Sequence, residues 1–390
     1  MSSNIIYLDN NATTCVAPEV FEAMTPYLTE FYGNPSSIHR FGGQLAAKVE
    51  EARAQLGALI GAQNSEIIFT SCGTESDTTA IRSALSICPK RRKVVISKVE
   101  HPAVLNLGKE LERNGYKVSI IPVDARGRLD MDRAREMIDS ETAVESVMWA
   151  NNETGNIQPV IELGELARKN GALFHTDAVQ AVGKVPMNLA ELPIDMLSLS
   201  GHKFHAPKGI GALYVKRGVR FHPYIIGGHQ EHGRRAGTEN LASIVGLGKA
   251  AELALANIGH ENTAVRALRD KLEQGVLASI PSVRINGDVE HRLPNTANIS
   301  FEYIEGESIL MLLDMHNICA SSGSACTTGS LEPSHVLRAM GVPYTAAHGS
   351  IRFSFSRYNT EAEVDRVLEV LPPVIARLRE ISPYWKQQQN

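Results

Sequence analysis

The sequence lacks the features that mark several large classes of protein. Its 39 basic residues are fewer than its 43 acidic residues, and the resulting net charge of −4 excludes the broad basic surface of a typical nucleic-acid-binding protein. It has no CxxC spacing, and its cysteines are odd in number: Cys15, Cys72, Cys88, Cys319 and Cys326. This usage indicates reduced thiols in the cytosol rather than a framework of disulfides.

No segment predicts secretion or a membrane span. The start, MSSNIIYLDNNATT, has neither a basic region nor a long apolar run, so we expect no signal peptide. Unbroken apolar runs stay well short of the ~18 residues that indicate a membrane helix. The 390 residues, 43% hydrophobic and 21% charged, therefore predict a soluble cytoplasmic protein of about two domains, with no membrane or nucleic-acid partner.

Short apolar runs alternate with amphipathic segments along much of the chain. Strand-like runs lie at 67–69, 94–96, 118–123, 146–149 and 173–175, and helix-like segments lie at 78–87, 103–113, 132–138 and 163–169. This pattern predicts an α/β fold, with a large domain whose mostly parallel sheet is covered by helices. A change of character around 255–262 predicts a smaller α+β domain, which includes a helix at 307–317. We place the large domain at 16–257 and the small domain at 1–15 and 258–390.

The stretch 195–215, DMLSLSGHKFHAPKGIGALYV, predicts two strands joined by a turn that carries Lys203. Taken alone, Lys203 is more simply an exposed charge on a turn. However, its neighbours Ser200, His202 and His205 offer hydrogen-bonding groups and no carboxylate. A lysine at the end of a buried strand loses solvation, which makes its amine a competent nucleophile. The turn is therefore a candidate anchor for pyridoxal phosphate (PLP).

Polar residues also follow the other predicted strands, where ligands of parallel sheets bind. A buried carboxylate at Asp177 needs a cationic partner, and a protonated pyridine ring would provide one. His175 and Asp177 share a strand face and could instead hold a metal, although no third ligand is near. Gly73 and Thr74 begin a helix that could bind phosphate, but an ordinary N-cap explains them more simply.

The segment 321–330, SSGSACTTGS, contains Cys326 and no large apolar side chain. We therefore expect a mobile loop that carries an accessible thiol. Because free cysteines are usually buried and inert, this position suggests a thiol that moves between sites.

Four motifs together resemble a known family. They are SGHK at 200–203, HTDA at 175–178, NNE at 151–153 and SGSAC at 322–326, and they resemble the cysteine desulfurases among the class V, fold-type I PLP enzymes. The resemblance runs from Tyr7 to the final helix. Residues 343–350, PYTAAHGS, look most like the NifS branch, which serves nitrogenase, rather than its housekeeping relative IscS. Thr78 departs from the pattern, because relatives often carry Asn there.

The resemblance implies an activity and a set of roles. The enzyme would convert L-cysteine to L-alanine, transferring sulfur to Cys326 as a persulfide for iron–sulfur cluster assembly and nitrogenase maturation. It implies PLP as cofactor, a homodimer and an iron–sulfur scaffold protein as sulfur acceptor. The implied catalytic residues are Lys203, Cys326 and His101. The implied cofactor-binding residues are Gly73, Thr74, Asn152, Asp177, Gln180, Ser200, His202, Lys203 and, from the second subunit, Thr238. Asn152 and Arg352 would bind substrate, and Cys326 is a candidate ligand of an iron–sulfur cluster shared with the partner.

Two alternatives remain open at this point. A selenocysteine lyase or another class V aminotransferase would share the cofactor residues, but transamination needs no acceptor thiol. A catalytically silent scaffold for iron–sulfur assembly would not need Lys203, Asp177 and His101 together.

Overall fold

The computed structural model describes residues 5–322 and 333–388, and helices and strands alternate through its first half. The strands are β1 Ile6–Tyr7, β2 Ile67–Thr70, β3 Lys93–Ser97, β4 Lys117–Ile121, β5 Thr142–Ser146, β6 Leu173–Asp177, β7 Met196–Ser200, β8 Gly211–Val215, β9 Val283–Ile285, β10 Thr296–Phe301, β11 Ile318–Cys319 and β12 Ser350–Ser354.

The helices surround these strands. They are α1 Pro18–Thr29, α2 Arg40–Gly43, α3 Ala46–Ile60, α4 Gly73–Ile87, α5 Pro102–Arg113, α6 Met131–Met137, α7 Val160–Lys169, α8 Leu241–His260, α9 Arg266–Ser279, α10 Gly306–Asp314, α11 His335–Ala339, α12 Tyr344–His348, α13 Glu361–Ile381 and α14 Pro383–Gln388. Short 3₁₀ helices lie at Asn64–Glu66, Gly201–Lys203 and Gln230–Gly233, and a π-helical segment lies at Glu261–Val265.

The main sheet of the described residues has seven strands in the order β2-β8-β7-β6-β5-β3-β4. Strand β8 is antiparallel to β2 and β7, and the remaining pairs are parallel. Strands β2, β3, β5, β7 and β8 are buried along their whole length. The prediction of a mostly parallel, helix-covered sheet is confirmed. Strands that are covered on both faces tend to have continuous apolar sequence, which is why apolar runs predicted them.

Three predicted elements have different bounds. The strand expected at 146–149 lies at Thr142–Ser146, because the polar residues of this buried strand hide it from a search for apolar runs. The strand expected to reach residue 123 ends at Ile121, directly before Pro122, which cannot donate a backbone hydrogen bond. The helix expected at 307–317 ends at Asp314.

The change of character around 255–262 is not a break in the chain. Helix α8, the π-helical segment and α9 follow one another from Leu241 to Ser279. In the described residues, this continuous helix is long and apolar enough to cross a membrane, but 56% of its most apolar window is buried inside the protein. Burial of that kind is typical of a core helix. Counting unbroken apolar runs missed it because glycine and charged residues interrupt the sequence.

Two hydrophobic cores meet near this helix. The first includes Phe174, Leu197 and Ala254, and the second includes Val265 and Phe353. In the second core, β12, β10 and β9 form an antiparallel sheet. Strand β1 pairs with β11, which brings the N-terminus to this side of the molecule. The domain boundaries themselves stay a prediction.

Candidate active site

A cavity of about 330 Å³ opens where the strands of the large sheet end. It is lined by residues that end or follow five of these strands: Gly73 and Thr74 after β2, His101 after β3, Asn152 after β5, Asp177 at the end of β6 and Ser200 at the end of β7. Gln180, His202, Lys203 and Arg352 complete the set of predicted residues in its wall. The parallel topology explains this convergence, because the carboxyl ends of parallel strands meet at one edge.

Lys203 reaches the cavity from the 3₁₀ turn that follows β7. Its Nζ atom donates hydrogen bonds to the main-chain carbonyls of Asn11, at 2.5 Å, and Ala12, at 2.8 Å. The N-terminal segment therefore forms a wall of the cavity beside this lysine.

Asp177 and His101 form the electrostatic centre of the cavity. Burial raises the pKa of Asp177, and the nearby His101 and Lys203 oppose this rise. Burial also lowers the pKa of His101. The Nδ1 atom of His101 accepts a hydrogen bond from the Ala103 amide at 3.1 Å, so the neutral ring carries its proton on Nε2. A cationic group beside Asp177 would compensate for its loss of solvation.

The first turn of α4 forms an end of the cavity suited to an anion. Its N-cap residue, Cys72, makes no side-chain capping bond, so that side chain satisfies none of the first amides. A Cβ atom on Gly73 would lie only 2.7 Å from Val179 Cγ2, so this wall is closely packed. Burial and Lys203 lower the pKa of His202 to about 4, which leaves its ring neutral at pH 7. Uncapped helix amides favour phosphate or another anion.

Arg352 lies on β12, across the cavity, and is only 2% exposed. Its guanidinium donates to the Asn152 carbonyl at 2.9 Å and to Asp9 Oδ1 at 2.8 Å. Its Nε atom is buried without a hydrogen-bond partner among the described residues. Arg352 is thus held in one orientation, and a carboxylate that binds it from the cavity would compete with Asp9.

Comparison with known proteins identifies the family. The model of the aminotransferase class-V family matches residues 6–367. A cysteine desulfurase of Trichormus azollae is 60% identical, with 99% of this chain and 98% of the relative covered. The cysteine desulfurase NifS of Azotobacter vinelandii is also 60% identical, with 97% and 95% covered. A solved NifS-like protein is 39% identical with a TM-score of 0.90, covering 96% of this chain and 100% of that chain.

The chain belongs to the class-V aminotransferases, among the cysteine desulfurases. Its fold is therefore fold type I, and it is a PLP-dependent enzyme. The desulfurase cavity fits this cofactor. Its volume lies within the range of small-molecule sites, roughly 300–1,000 Å³. Among the described residues, Asp77 Oδ1, Gln180 Oε1 and Arg352 Nε are buried polar atoms without hydrogen-bond partners, although His175 Nε2 lies 3.7 Å from Asp77 Oδ1, and all three residues line the cavity. Native proteins rarely leave such atoms unsatisfied.

Of the predicted residues of the desulfurase, one lies outside the cavity wall and another lies outside the described part of the chain. Thr238 is exposed and is not among the residues that line the cavity. Cys326 lies outside the described residues. The metal alternative at His175 and Asp177 loses support, because His175 is buried with its ring nitrogens near the hydroxyls of Ser146, at 2.8 Å, and Ser198, at 2.9 Å. Burial lowers the pKa of His175 to about 3.

Sequence reasoning missed several residues of the desulfurase cavity, of which Asp77 is the most informative. Its carboxyl group is buried in the second turn of α4, and burial together with the neighbouring Asp177 raises its pKa well above the usual range. The signal was its spacing: Asp77 lies four residues after Gly73 and therefore on the same helix face. The other missed lining residues include Asn11, Ala12, Cys72, Met148 and Val179.

Proposed function

We propose that this enzyme converts L-cysteine to L-alanine and leaves the sulfur on Cys326 as a persulfide. The observation that carries the proposal is the convergence of Lys203, Asp177 and His101 on one wall of a cavity that Arg352 lines from another strand system. This set offers a nucleophilic amine, a carboxylate for a ring nitrogen and a cation for a substrate carboxylate. Relatives about 60% identical over nearly the whole chain carry the same activity in their names.

The residues that would hold the cofactor follow from the geometry of the cavity. Lys203 would bind its aldehyde carbon, and Asp177 would keep its pyridine nitrogen protonated. PLP, when bound, supplies an electron-accepting ring that stabilises negative charge at the substrate Cα. The first turn of α4 would receive the phosphate, together with the nearby side chains Thr74, Ser200 and His202.

Three further residues would act on the ring and the substrate. His101 would lie against the ring and act in the acid–base steps; because its Nδ1 is held by the Ala103 amide, Nε2 is the nitrogen that would exchange the proton. Gln180 donates one N–H of Nε2 to the Asn11 carbonyl at 2.9 Å, so the second N–H of the same nitrogen would donate to the 3′ oxygen of the cofactor. Asn152 would contact the cofactor and the substrate. Arg352 would bind the L-cysteine carboxylate, while Lys203 would take the Cα proton and return it.

The sulfur transfer needs a thiol beyond these groups, and the sequence places it at Cys326. The Cβ–S bond of L-cysteine breaks as a new S–S bond forms to the Cys326 thiolate. The substrate carbon is reduced to the methyl group of L-alanine, and Cys326 is oxidised to a persulfide, so no external oxidant or reductant is needed. At a free-thiol pKa of about 8.5, only a few per cent of Cys326 would be ionised at neutral pH.

We also propose a cytoplasmic homodimer that delivers sulfur to an iron–sulfur scaffold for nitrogenase maturation, with Cys326 a candidate ligand of a shared cluster. The support is the NifS relative and the position of Thr238. That residue is exposed, although its loop is held on α4 by an ion pair between Arg235 and Glu75 at 2.9 Å. A second subunit would also cover some of the exposed apolar side chains, such as Tyr32 or Ile226.

The decisive experiment measures alanine and sulfide from L-cysteine with PLP-replete enzyme. Cys326→Ala should keep its cofactor colour but lose alanine release, whereas the control Cys88→Ala should retain both. Incubation with ³⁵S-labelled cysteine, alkylation and peptide mapping should locate the label on Cys326. Label on Cys319 or Cys72, normal turnover by Cys326→Ala, or amino transfer that depends on a keto acid would contradict the proposal.

Mixed dimers test the shared site. The test dimer combines one Lys203→Ala subunit with one Thr238→Ala subunit. If each site uses its own Thr238, each of the two sites carries one defect. If Thr238 acts across the interface, both defects fall on the same site and the other site stays active. A fully active monomer in gel filtration would contradict the dimer proposal.

A further inference from the structure

A second lysine lies directly behind the cavity. Lys184, on the turn after β6, is only 6% exposed. Its Nζ atom lies 3.3 Å from the main-chain carbonyl of Gln180 and 3.3 Å from that of Lys203. One buried ammonium group therefore bridges two backbone segments whose side chains line the cavity. Lys184 itself is not among the residues of that cavity.

The backbone of Lys184 is itself held by a side chain from another segment. Its carbonyl accepts a hydrogen bond of 2.8 Å from Asn262 Nδ2. Asn262 belongs to the π-helical segment Glu261–Val265, which joins α8 to α9 at the point where the two hydrophobic cores meet. Single-turn π segments inside helices are rare and occur frequently at functional sites. Lys184 thus connects this segment to the turn that carries Lys203.

A small cavity of about 20 Å³ with a mixed polar and apolar lining lies between these elements. Lys184, Lys203, Glu261 and Arg357 line it, so it joins residues from both core regions. It is large enough for about one water molecule. Among the described residues, Glu261 Oε2 is buried without a hydrogen-bond partner. The polar groups of Lys184 and Glu261 therefore face the same small space.

The charges around Lys184 support this arrangement. Burial lowers the pKa of Lys184 to about 8, although Glu261 opposes the effect. Burial raises the pKa of Glu261, while Lys184 and Arg357 oppose that rise. The other titratable groups that sense Lys184 are His202 and His205, whose pKa values its charge lowers. A buried ammonium group is costly, and packing alone would be served by an apolar side chain.

We propose that Lys184 is a positioning residue for Lys203: it ties the main-chain carbonyl of Lys203 to that of Gln180 and, through Asn262, links both to the π-helical segment. The inference rests on the proposed role of Lys203 as cofactor anchor. The ammonium of Lys184 fixes the direction from which the Lys203 side chain enters the cavity. It takes no part in bond making or bond breaking.

The test compares two buried lysines in the PLP-loaded enzyme. Lys184→Met keeps the length of the side chain but removes the ammonium group. The matched control is Lys93→Met, because Lys93 is also buried but pairs with Asp139 at 2.6 Å and does not line the cavity. Each variant is assayed for cofactor content, visible circular dichroism per bound cofactor, and kcat and KM for L-cysteine.

Lys184→Met should still carry cofactor on Lys203 but lose part of its visible circular dichroism. We expect its kcat to fall about 10- to 100-fold, as for small misplacements of a reacting group, with KM changed less than about twofold. Lys184→Gln retains a donor and should recover part of both losses. Lys93→Met should leave the dichroism per bound cofactor and kcat unchanged.

Two results would overturn the inference: wild-type dichroism and kcat in Lys184→Met, or equal changes in both lysine variants. If Lys184→Met fails to fold, Asn262→Ala is the alternative test. It should lower the dichroism and kcat in the same direction but by less. Wild-type dichroism and kcat in Asn262→Ala would contradict the link. Peptide mapping after borohydride reduction distinguishes a failure of this inference from a failure of the proposed function. A label on a lysine other than Lys203 would refute the anchor assignment itself.

Discussion

The cavity edge of the large sheet and the small antiparallel sheet both bury many polar side chains, but these side chains find their partners differently. In the small sheet, Asn286 Nδ2 donates to Asn298 Oδ1 at 2.8 Å and to Ser300 Oγ at 2.7 Å. Asn298 in turn donates to the Glu153 carbonyl at 3.1 Å. At the cavity edge, Asp77 Oδ1 and Gln180 Oε1 have no hydrogen-bond partner among the described residues, although His175 Nε2 lies 3.7 Å from Asp77 Oδ1. Asn286 Oδ1 in the small sheet has no such partner either, but Asn286 does not line the cavity, whereas Asp77 and Gln180 do.

The difference separates polar groups that hold the fold from polar groups that bind a ligand. A hydrogen-bonded buried network strengthens a unique packing, and removing a member leaves its partners unsatisfied. An unpaired polar atom in a cavity costs stability until a ligand satisfies it. Substitutions at the cavity edge should therefore remove activity with little loss of stability, whereas those in the small sheet should do the reverse.

The largest effect is expected at Lys203. Lys203→Ala should lower turnover more than 10³-fold, equivalent to more than about 4 kcal/mol in the activation barrier, because it removes the anchoring amine and the proton carrier. Its melting temperature should stay within a few degrees of wild type. The control is Lys208→Ala, since Lys208 is an exposed lysine on the same loop. Borohydride labelling of Lys208 in the wild type would break the assignment.

Asp177 should come next. Asp177→Asn cannot hold a proton on the ring nitrogen, so we expect kcat to fall by a factor of 10² to 10³, about 3–4 kcal/mol, with cofactor still bound. Asp195 is the matched control: it is a half-buried carboxylate at the other end of the sheet, where it accepts from the Phe174 amide at 2.8 Å. Steady-state kinetics should show normal kcat for Asp195→Asn. Normal turnover by Asp177→Asn would remove its proposed role.

Glu153 sharpens the comparison because it lies between the two regions. Burial raises its pKa to about 7, although Ser334 donates to its carboxylate and Arg352 also opposes the rise. The folded protein therefore binds a proton that the unfolded chain releases between pH 4.5 and 7. Stability should fall by about 3 kcal/mol as pH rises through that window and then level off.

Glu153→Gln should lack this loss. Urea unfolding at pH 5 and pH 7.5 measures the free energy of unfolding of wild type and variant. The value for the variant minus that for wild type should be larger at pH 7.5 than at pH 5. A difference that does not change with pH would show that Glu153 does not titrate in this window.

The smallest effect is expected in the small sheet. Asn286→Ala removes the donor shared by Asn298 and Ser300, and should lower the free energy of unfolding by about 1–3 kcal/mol. Its kcat per folded, cofactor-loaded molecule should stay within about twofold of wild type, as read from kinetics normalised to bound cofactor. A large fall in kcat without a change in stability would break the distinction between the two regions.

The sequence determined the order of the main elements and most of the chemistry of the cavity. Lys203, Asp177 and His101 could be found because each follows a buried strand, and buried parallel strands show as apolar runs. Strand β5 escaped this search because its sequence, TAVES, places polar residues inside the sheet. Only burial in the folded protein distinguishes it from a loop.

Tertiary structure alone decided which distant residues meet. Arg352 pairs with Asp9 across 343 positions of sequence, and Lys203 contacts the Asn11 carbonyl across 192. The bridge from Lys184 to Lys203 likewise depends on how two turns pack. Local patterns arise from the repeat of a helix or strand and extend over a few residues, so they predict which residues share a face. They carry no information about contacts that close only when separate elements pack together.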